Sequence, residues 1–539
     1  MNKKNIALGI VLTFLLLAVH LALIDDYGLT WDFHHHFFAG MHLLKQPITP
    51  EMTANLPFTE PDPRGTYKLP FGPLMSIAPV ATYLVFFKWL GILAFDNAYN
   101  LSIIVGGVAG VFILYLFLLE AFGLTTALAG FAFLALLPRY WGDLHNNMKD
   151  VPQAAAFTLA IWMFWRLARY KSLKALILAS LAFAVAFNTK VNTIVVPAIA
   201  GVWILIQQVV NPKRQSAAWR MVLGYFLLAP LLAFLLWSLF WNDPLGQLLY
   251  IPRFFIDNTK NIEILINGLW YCSGVNVPWW YPLWYLSITT PLPTLLFFLI
   301  GLTVLVGQIK KRPVASLLLL WFVLPLMRYA FPRMGVIDGI RHFEEVIYPL
   351  TAIAAVGATS VLHRMKNIKV ITMTTLIIFI LLIKGVISYH PFQISYYNEL
   401  VGGTRGAFGK YDIDYWGGPQ KKAMQWLNEN APKDSKIHVV MAADVAGRYL
   451  RPDLLVTLNK YGYDESDFVV FLNRQSFFYR FFYSYEYLLR HTPTETIRVQ
   501  GAPLVWIFDN RTQNITERQA PWWQGEDPCI IPYWRGGKP

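Results

Sequence analysis

The sequence predicts a polytopic α-helical membrane protein with a soluble α/β domain at its C-terminal end. Three observations carry this. The 539 residues are 56% apolar and 16% aromatic with only 14% charged, which excludes disorder and fits a membrane protein with some soluble mass attached. Apolar runs recur as far as about residue 388, each near the ~20 residues a helix needs to cross ~30 Å of hydrocarbon. Beyond that point the pattern changes to short, mixed, polar segments.

The first run, IALGIVLTFLLLAVHLALI, follows MNKKN and lacks a small-x-small cleavage site, so it reads as an uncleaved first helix. Basic clusters mark the cytoplasmic side of such a chain. They stand at Lys3 and Lys4 and within 166–174, 213–220, 310–312 and 364–369. From Arg166 onward, successive clusters are separated by two apolar segments: 173–188 and 190–209, 220–241 and 284–307, 314–331 and 346–362. A regular weave follows, and helix 369–388 then exits, leaving 389–539 outside. Working backwards, 151–168 runs inward, so HNNMKDVP (145–152) is outside, as is TWDFHHH (30–36) after helix 1. Three apolar runs lie between those points where an even number of crossings is needed. We assign 71–94, which carries Pro79 and Lys88 after a Pro-rich stretch, as a helix lying in the interface. About eleven spanning helices result, in a region 1–388 with a large first outer loop (25–100).

The net charge of +13 reflects basic loops beside anionic lipid. No basic run is interleaved with aromatics as a nucleic-acid channel requires, so nucleic acid is excluded as a partner. Two cysteines, Cys272 and Cys529, are too few for a disulfide framework or a cysteine metal site. Both fall outside under this topology, where a bridge between them is permitted.

The chemistry-bearing residues gather on the outer face: Asp32; Asp143, His145, Lys149 and Asp150; Lys190; and Arg341, His342, Glu344 and Glu345. Carboxylates beside Lys and Arg suit a site that handles an anion and moves a proton. A sugar on a polyprenyl phosphate carries a good leaving group and needs no nucleotide outside the cell. Its transfer requires a base for the acceptor proton and cations for the departing phosphate, through an oxocarbenium-like transition state. Arg offers bidentate phosphate contacts and Lys a point charge.

Each residue also has a structural alternative. Asp32 suits a solvated loop or a helix cap. Lys190 suits snorkelling to the interface. Arg341 suits pairing with Glu344 or Glu345 at helical spacing, and Asp150 before Val-Pro suits an N-cap. His34, His36 and His145, with Asp143, include ligand types for a divalent ion such as Zn2+, Mg2+ or Mn2+. Consecutive histidines cannot all face one ion, however, and an interfacial polar cluster is the alternative. VPWWYPLWY (277–285) suits an interfacial aromatic belt or the walls of a sugar site.

TWDFHHHFFAG (30–40), HNNMKDVP, GIRHF (339–343), HPFQISYYNELVGG (390–403) and DIDYWGG (412–418) resemble motifs of the GT-C superfamily of polyprenyl-phosphate-sugar-dependent glycosyltransferases. The likeness is to bacterial relatives of the protein O-mannosyltransferases and the aminoarabinose lipid A transferases, nearly end to end. Asp32, His36 and Gly40 match the family's Asp, His and Gly after helix 1, while Phe33 stands where the family usually has Glu. The resemblance implies a GT-C fold, a juxtamembrane helix at 71–94 and an inverting transfer with Asp32 as general base. Asp150 becomes the second acidic position, and Lys190 and Arg341 the contacts to lipid phosphate. His36, His145, Asp143 and His342 are grouped with them as substrate-binding residues.

Its implied partners are a polyprenyl-phosphate-linked sugar, membrane lipids and an acceptor that is protein, lipid A or another envelope glycan. The implied location is a bacterial inner membrane, with the N-terminus cytoplasmic. The alternatives are a lipid-linked sugar flippase, whose charges belong along a mid-membrane path, and a glycan ligase or polymerase.

In the tail, PQKKAMQWLNEN has helical spacing with Ala423, Trp426 and Leu427 on one side. KIHVVMAA, LLVTL and DFVVFL read as strands and RVQGAPLVWIF as a closing hairpin. The tail suits a structural cap, or a lid or acceptor-recognition element.

Overall fold

Every apolar run named above is helical in the computed structural model, which describes residues 2–49, 52, 65–210, 219–331, 334–457, 463, 465–512, 515–522 and 529. Among the described residues six helices are long and apolar enough to cross a membrane: Lys3–Ala22, Phe95–Ala121, Val191–Val210, Pro313–Ala330, Arg341–Arg364 and Ile368–Ile387. Shorter apolar helices accompany them at Leu124–Ala135, Leu173–Thr189, Arg220–Leu235 and Leu292–Val306. Asp150–Tyr170 adds another 21 helical residues. Arg341–Arg364 is central, with 78% of its apolar window buried, whereas Lys3–Ala22 and Ile368–Ile387, at 11% each, turn most of their surface outward. The chain is a multi-pass membrane protein. Lys213 and Arg214 lie outside the described residues.

Two segments depart from a single regular α-helix. The run 284–307 is two helices, Tyr281–Thr289 and Leu292–Val306, broken at Thr290 and Pro291. Proline lacks the amide hydrogen and holds the preceding residue extended, as Thr290 is at φ −102°, ψ 134°. The run 71–94 is helical over Leu74–Tyr83 and continues as a wider π-helical turn over Leu84–Trp89. It packs on the helices Phe33–Leu43 and Phe95–Ala121.

The loop 242–283 contains a hairpin that the sequence reading missed. Strand β1 (Glu263–Ile266) pairs antiparallel with β2 (Leu269–Cys272). Asn267 and Gly268 between them have φ of +54° and +82°, the left-handed geometry of an Asn-Gly hairpin turn. Cys272 is bonded to Cys529, tying this hairpin to the C-terminal end of the chain.

The tail follows its strand patterns closely. Strands β3 (Lys436–Val440), β4 (Leu455–Val456), β5 (Phe468–Leu472), β6 (Glu495–Val499) and β7 (Ala502–Asp509) form one sheet in the order β4-β3-β5-β7-β6. Strand β3 is parallel to β4 and β5; β7 is antiparallel to β5 and β6. The helix Gln420–Asn430 buries Ala423, Met424 and Leu427.

Sheet and bundle are joined by polar contacts of fixed direction. The Trp31 amide donates to the Trp416 carbonyl at 2.8 Å. Lys421 reaches Asp96 at 2.7 Å, and Tyr449 donates to the same Asp96 at 3.1 Å. These contacts hold the 412–418 segment over one end of the bundle.

Candidate active site

TWDFHHH is a helix start, not an irregular loop: Phe33–Leu43 is helical and Asp32 is the residue that precedes it. An aspartate there ordinarily caps the helix, but the Asp32 carboxylate makes no capping bond. It turns instead toward cations from two distant segments. Lys149 Nζ lies 2.6 Å from Asp32 Oδ2, Arg341 Nη1 lies 2.9 Å from it, and Trp416 Nε1 donates to it at 3.2 Å. All three contacts fall on Oδ2. Oδ1 has no partner among the described residues, and the side chain keeps 29% of its surface open.

The network extends inward. Asp150 is the first residue of its helix and Lys149, not Asp150, precedes that helix, so the N-cap expectation is corrected. Its buried carboxylate binds Lys190 Nζ and lies 3.6 Å from Arg341 Nε. Lys190 is therefore buried in an ion pair and does not snorkel. Arg341 does not pair with Glu344 or Glu345 as its spacing allowed. Glu345 is taken by Arg328 at 3.0 Å, Glu344 accepts from Asn147 at 3.0 Å, and Arg341 adds Asp338 at 3.2 Å. Residues 341–346 form a tight 310 segment with Phe343 kinked, which turns these side chains away from regular helical pairing.

Together these groups line a cavity of about 410 Å³. Asp32, Asp150, Lys190, Arg341, His342 and His36 border it, along with Lys149, His35, Trp416 and the tail residues Arg474 and Phe477. Arg341 stacks 4.4 Å from the Trp416 ring, and Arg474 bridges to Asp338 at 2.8 Å. Burial alone would raise the Asp32 carboxyl, but Lys149 and Arg341 outweigh it and hold it well below the usual carboxylate range. Burial first, then the neighbouring Lys149, keeps His36 well below the ordinary imidazole value; its Nδ1 meets Ser76 Oγ at 3.1 Å.

Two expected members do not reach the cavity. Asp143 is buried, with neither oxygen hydrogen-bonded among the described residues, and burial pushes its carboxyl up to about 7. His145 belongs to a separate group: it meets His20 at 2.8 Å and stacks on Tyr27 at 3.6 Å. His34 faces Phe38 at 4.8 Å, in the helix interior of the first loop. The expected grouping of His34, His36 and His145 is corrected accordingly. Side chains one and two apart on a helix point in different directions. Among the described residues no three His, Cys, Asp or Glu form a group that could hold a metal ion.

Lys149 was placed in the outer-face group without a role of its own, and Trp416 was missed as a site residue. Lys149 adjoins Asp150, so its place in the same loop was the available signal. Trp416 had none beyond DIDYWGG, because it meets Asp32 from 384 positions away.

Comparison with known proteins supplies the relationship. Residues 78–240 match the family described as dolichyl-phosphate-mannose-protein mannosyltransferase. The crystal structure of ArnT from Cupriavidus metallidurans in the apo state superposes with a TM-score of 0.51 at 13% identity, covering 93% of this chain and 98% of that one. The chain has a GT-C fold. The undecaprenyl-phosphate-bound structure of the same ArnT scores 0.49 at 13% identity, with 97% and 100% covered. The archaeal oligosaccharyltransferase AglB from Archaeoglobus fulgidus, in complex with an inhibitory peptide and a dolichol-phosphate, scores 0.46 at 13% identity, with 87% and 69% covered. No curated protein matches the sequence significantly.

Proposed function

We propose that this GT-C protein is an inverting glycosyltransferase. It moves a sugar from a polyprenyl phosphate carrier to a hydroxyl-bearing acceptor at the outer face of a bacterial inner membrane. One observation carries the reading. Asp32 has one oxygen fixed by Lys149, Arg341 and Trp416 and the other open into a cavity ringed by cations. That is the arrangement a base needs when the leaving group is an anion.

The acceptor hydroxyl donates its proton to Asp32 Oδ1 as its oxygen forms a bond to the anomeric carbon. The carbon–phosphate oxygen bond breaks on the opposite side, and its electron pair leaves with the polyprenyl phosphate. Lys190 and Arg341 hold that phosphate; Asp150, bound to both, sets their positions. In the resting site Asp32 is ionised but weakly basic, because two cations share its Oδ2. A phosphate that draws Arg341 to itself weakens that hold, so donor binding strengthens the base. His36, kept neutral by burial, adds a polar contact without charge. The tail from 389 onward closes the site through Trp416 and Arg474, as an element that meets the acceptor. The donor sugar and the acceptor class are left to experiment.

The test compares envelope glycolipids and glycoproteins by mass spectrometry in strains carrying wild-type or Asp32→Asn protein at matched abundance. The expected result is loss of a sugar-sized mass from one species in the variant. An unchanged profile, with the protein present and the lipid-linked sugar confirmed, overturns Asp32 as the base.

A further inference from the structure

A second cavity of about 410 Å³ lies away from Asp32, where the C-terminal sheet meets the end of the last span. Its lining includes Phe408, Trp506 and Trp522, with Arg405 and Arg498 beside them. The Trp522 ring stands 5.8 Å from Trp506 and 5.7 Å from Phe408, making an aromatic floor. Among the described residues no Asp or Glu lines this cavity.

The arginines set it apart from the rest of the tail. Arg451 pairs with Asp453, Arg474 with Asp338, Arg480 with Glu263, Arg511 with Asp509 and Arg518 with Glu486. Arg405 and Arg498 are both exposed, and neither side chain makes an ion pair or hydrogen bond with a described residue. Two guanidinium groups without counter-ions beside an aromatic floor form a site for an anion.

Its position says which anion. Gln500, in the β6–β7 turn, donates to the Ser388 carbonyl at 2.6 Å, and Ser388 is the residue that ends the helix Ile368–Ile387. A Cβ on Gly501, in the same turn, would lie 3.9 Å from Arg405 Cδ. The cleft therefore sits at the depth where the last span leaves the bilayer. Beside it, Ile387 is 69% exposed and Leu400 60% exposed. Tryptophan favours this interfacial depth, and basic side chains there attract anionic lipid.

We propose that this cleft is a binding site for the phosphate headgroup of an anionic membrane lipid, seated between Arg405 and Arg498 over the Trp506–Trp522 floor. It is independent of the sugar-transfer reading, since no residue of the Asp32 cavity takes part. The site anchors the sheet to the membrane surface beside the last span.

The test is native mass spectrometry of the delipidated full chain, offered phosphatidylglycerol and phosphatidylcholine together in neutral detergent. Wild type is expected to retain phosphatidylglycerol. The Arg405→Gln/Arg498→Gln double variant is expected to hold about tenfold less or lower still, while Lys310→Gln, a surface lysine elsewhere, retains it. Equal retention of the two lipids, or undiminished phosphatidylglycerol on the double variant, overturns the proposal. A second arm adds excess inorganic phosphate. Survival of the lipid adduct supports a lipid headgroup; its displacement, with phosphate bound by wild type and not by the double variant, assigns the cleft to a soluble anion and overturns the lipid reading. The replaced side chains are exposed and unpaired, and a melting curve matching wild type confirms the fold.

Discussion

Asp32 shows how one carboxylate can be both ionised and held in reserve. Its pKa lies well below the usual range because Lys149 and Arg341 outweigh the effect of burial. Removing one cation must therefore raise it. In Lys149→Gln the acid limb of kcat/KM moves upward, toward the ordinary carboxylate value of ~3.9. A pH–rate profile in which the acid limb stays where it is in wild type sinks this account. Asp143 has the opposite sign. Its folded pKa of about 7 lies above the ordinary ~3.9, so between those values the folded state carries the extra proton. Stability from that proton is fully present below about pH 4 and is lost as pH rises to 7. Wild type should therefore melt lower at pH 8 than at pH 5, and Asp143→Asn should narrow that difference by about 2 °C or more; identical pH dependence in the two proteins overturns the assignment. Of these residues, Asp32, Asp150, Lys190 and Arg341 could be grouped from sequence because counting crossings put them on one face. Which of them touch could not be read, since Arg341 chose Asp32, 309 positions away, over Glu344 and Glu345 close by in sequence.

Helices and turns were the most legible level, because their signals are local. Hydrophobic length marked the spans, and Pro291 and Asn267-Gly268 carried the helix break and the hairpin turn in plain view, although only the tail's strands were read that way. Close helix crossings left a fainter trace. Gly301 of Leu292–Val306 and Gly357 of Ile347–Arg364 meet backbone to backbone: a Cβ on Gly301 would stand 1.9 Å from the Ile353 carbonyl oxygen, and one on Gly357 would stand 2.0 Å from that of Phe297. Small residues permit this approach in a bilayer, where packing and not the hydrophobic effect joins helices. Gly301→Val must push the two backbones apart, at about 1–3 kcal/mol for an overpacked contact. The expected outcome is a melting temperature lowered by several degrees, and Gly307→Val, which meets only carbonyls of its own helix at 3.6 Å, provides the comparison. Equal melting of the two variants shows that the crossing does not limit stability.

At the scale of the whole molecule, orientation decides whether the proposed chemistry faces lipid-linked sugar, and it follows from counting. The sequence reading of about eleven crossings, an odd number, predicts that the N-terminus and the C-terminal sheet lie on opposite sides of the membrane. The Asp32 cavity lies on the sheet's side because Trp416 and Arg474 reach into it. No local pattern in the sequence states this, since the contacts that close the cavity join residues hundreds of positions apart. Charge predicts the other side: Lys310, Lys311 and Arg312 precede the helix Pro313–Met327, and such a basic cluster is expected in the cytoplasm. Lys310 and Lys433 are both exposed, which makes them reporters. Singly introduced Lys433→Cys should react with a membrane-impermeant maleimide in intact spheroplasts, whereas Lys310→Cys should react only after permeabilisation. The native Cys272 and Cys529 are bonded to each other and leave a low background. The reverse pattern would place the Asp32 cavity in the cytoplasm, where nucleotide sugars abound and a lipid-phosphate donor is not required. Both positions reacting alike in intact cells would mean that one of the three helices between them, Pro313–Ala330, Arg341–Arg364 or Ile368–Ile387, does not cross.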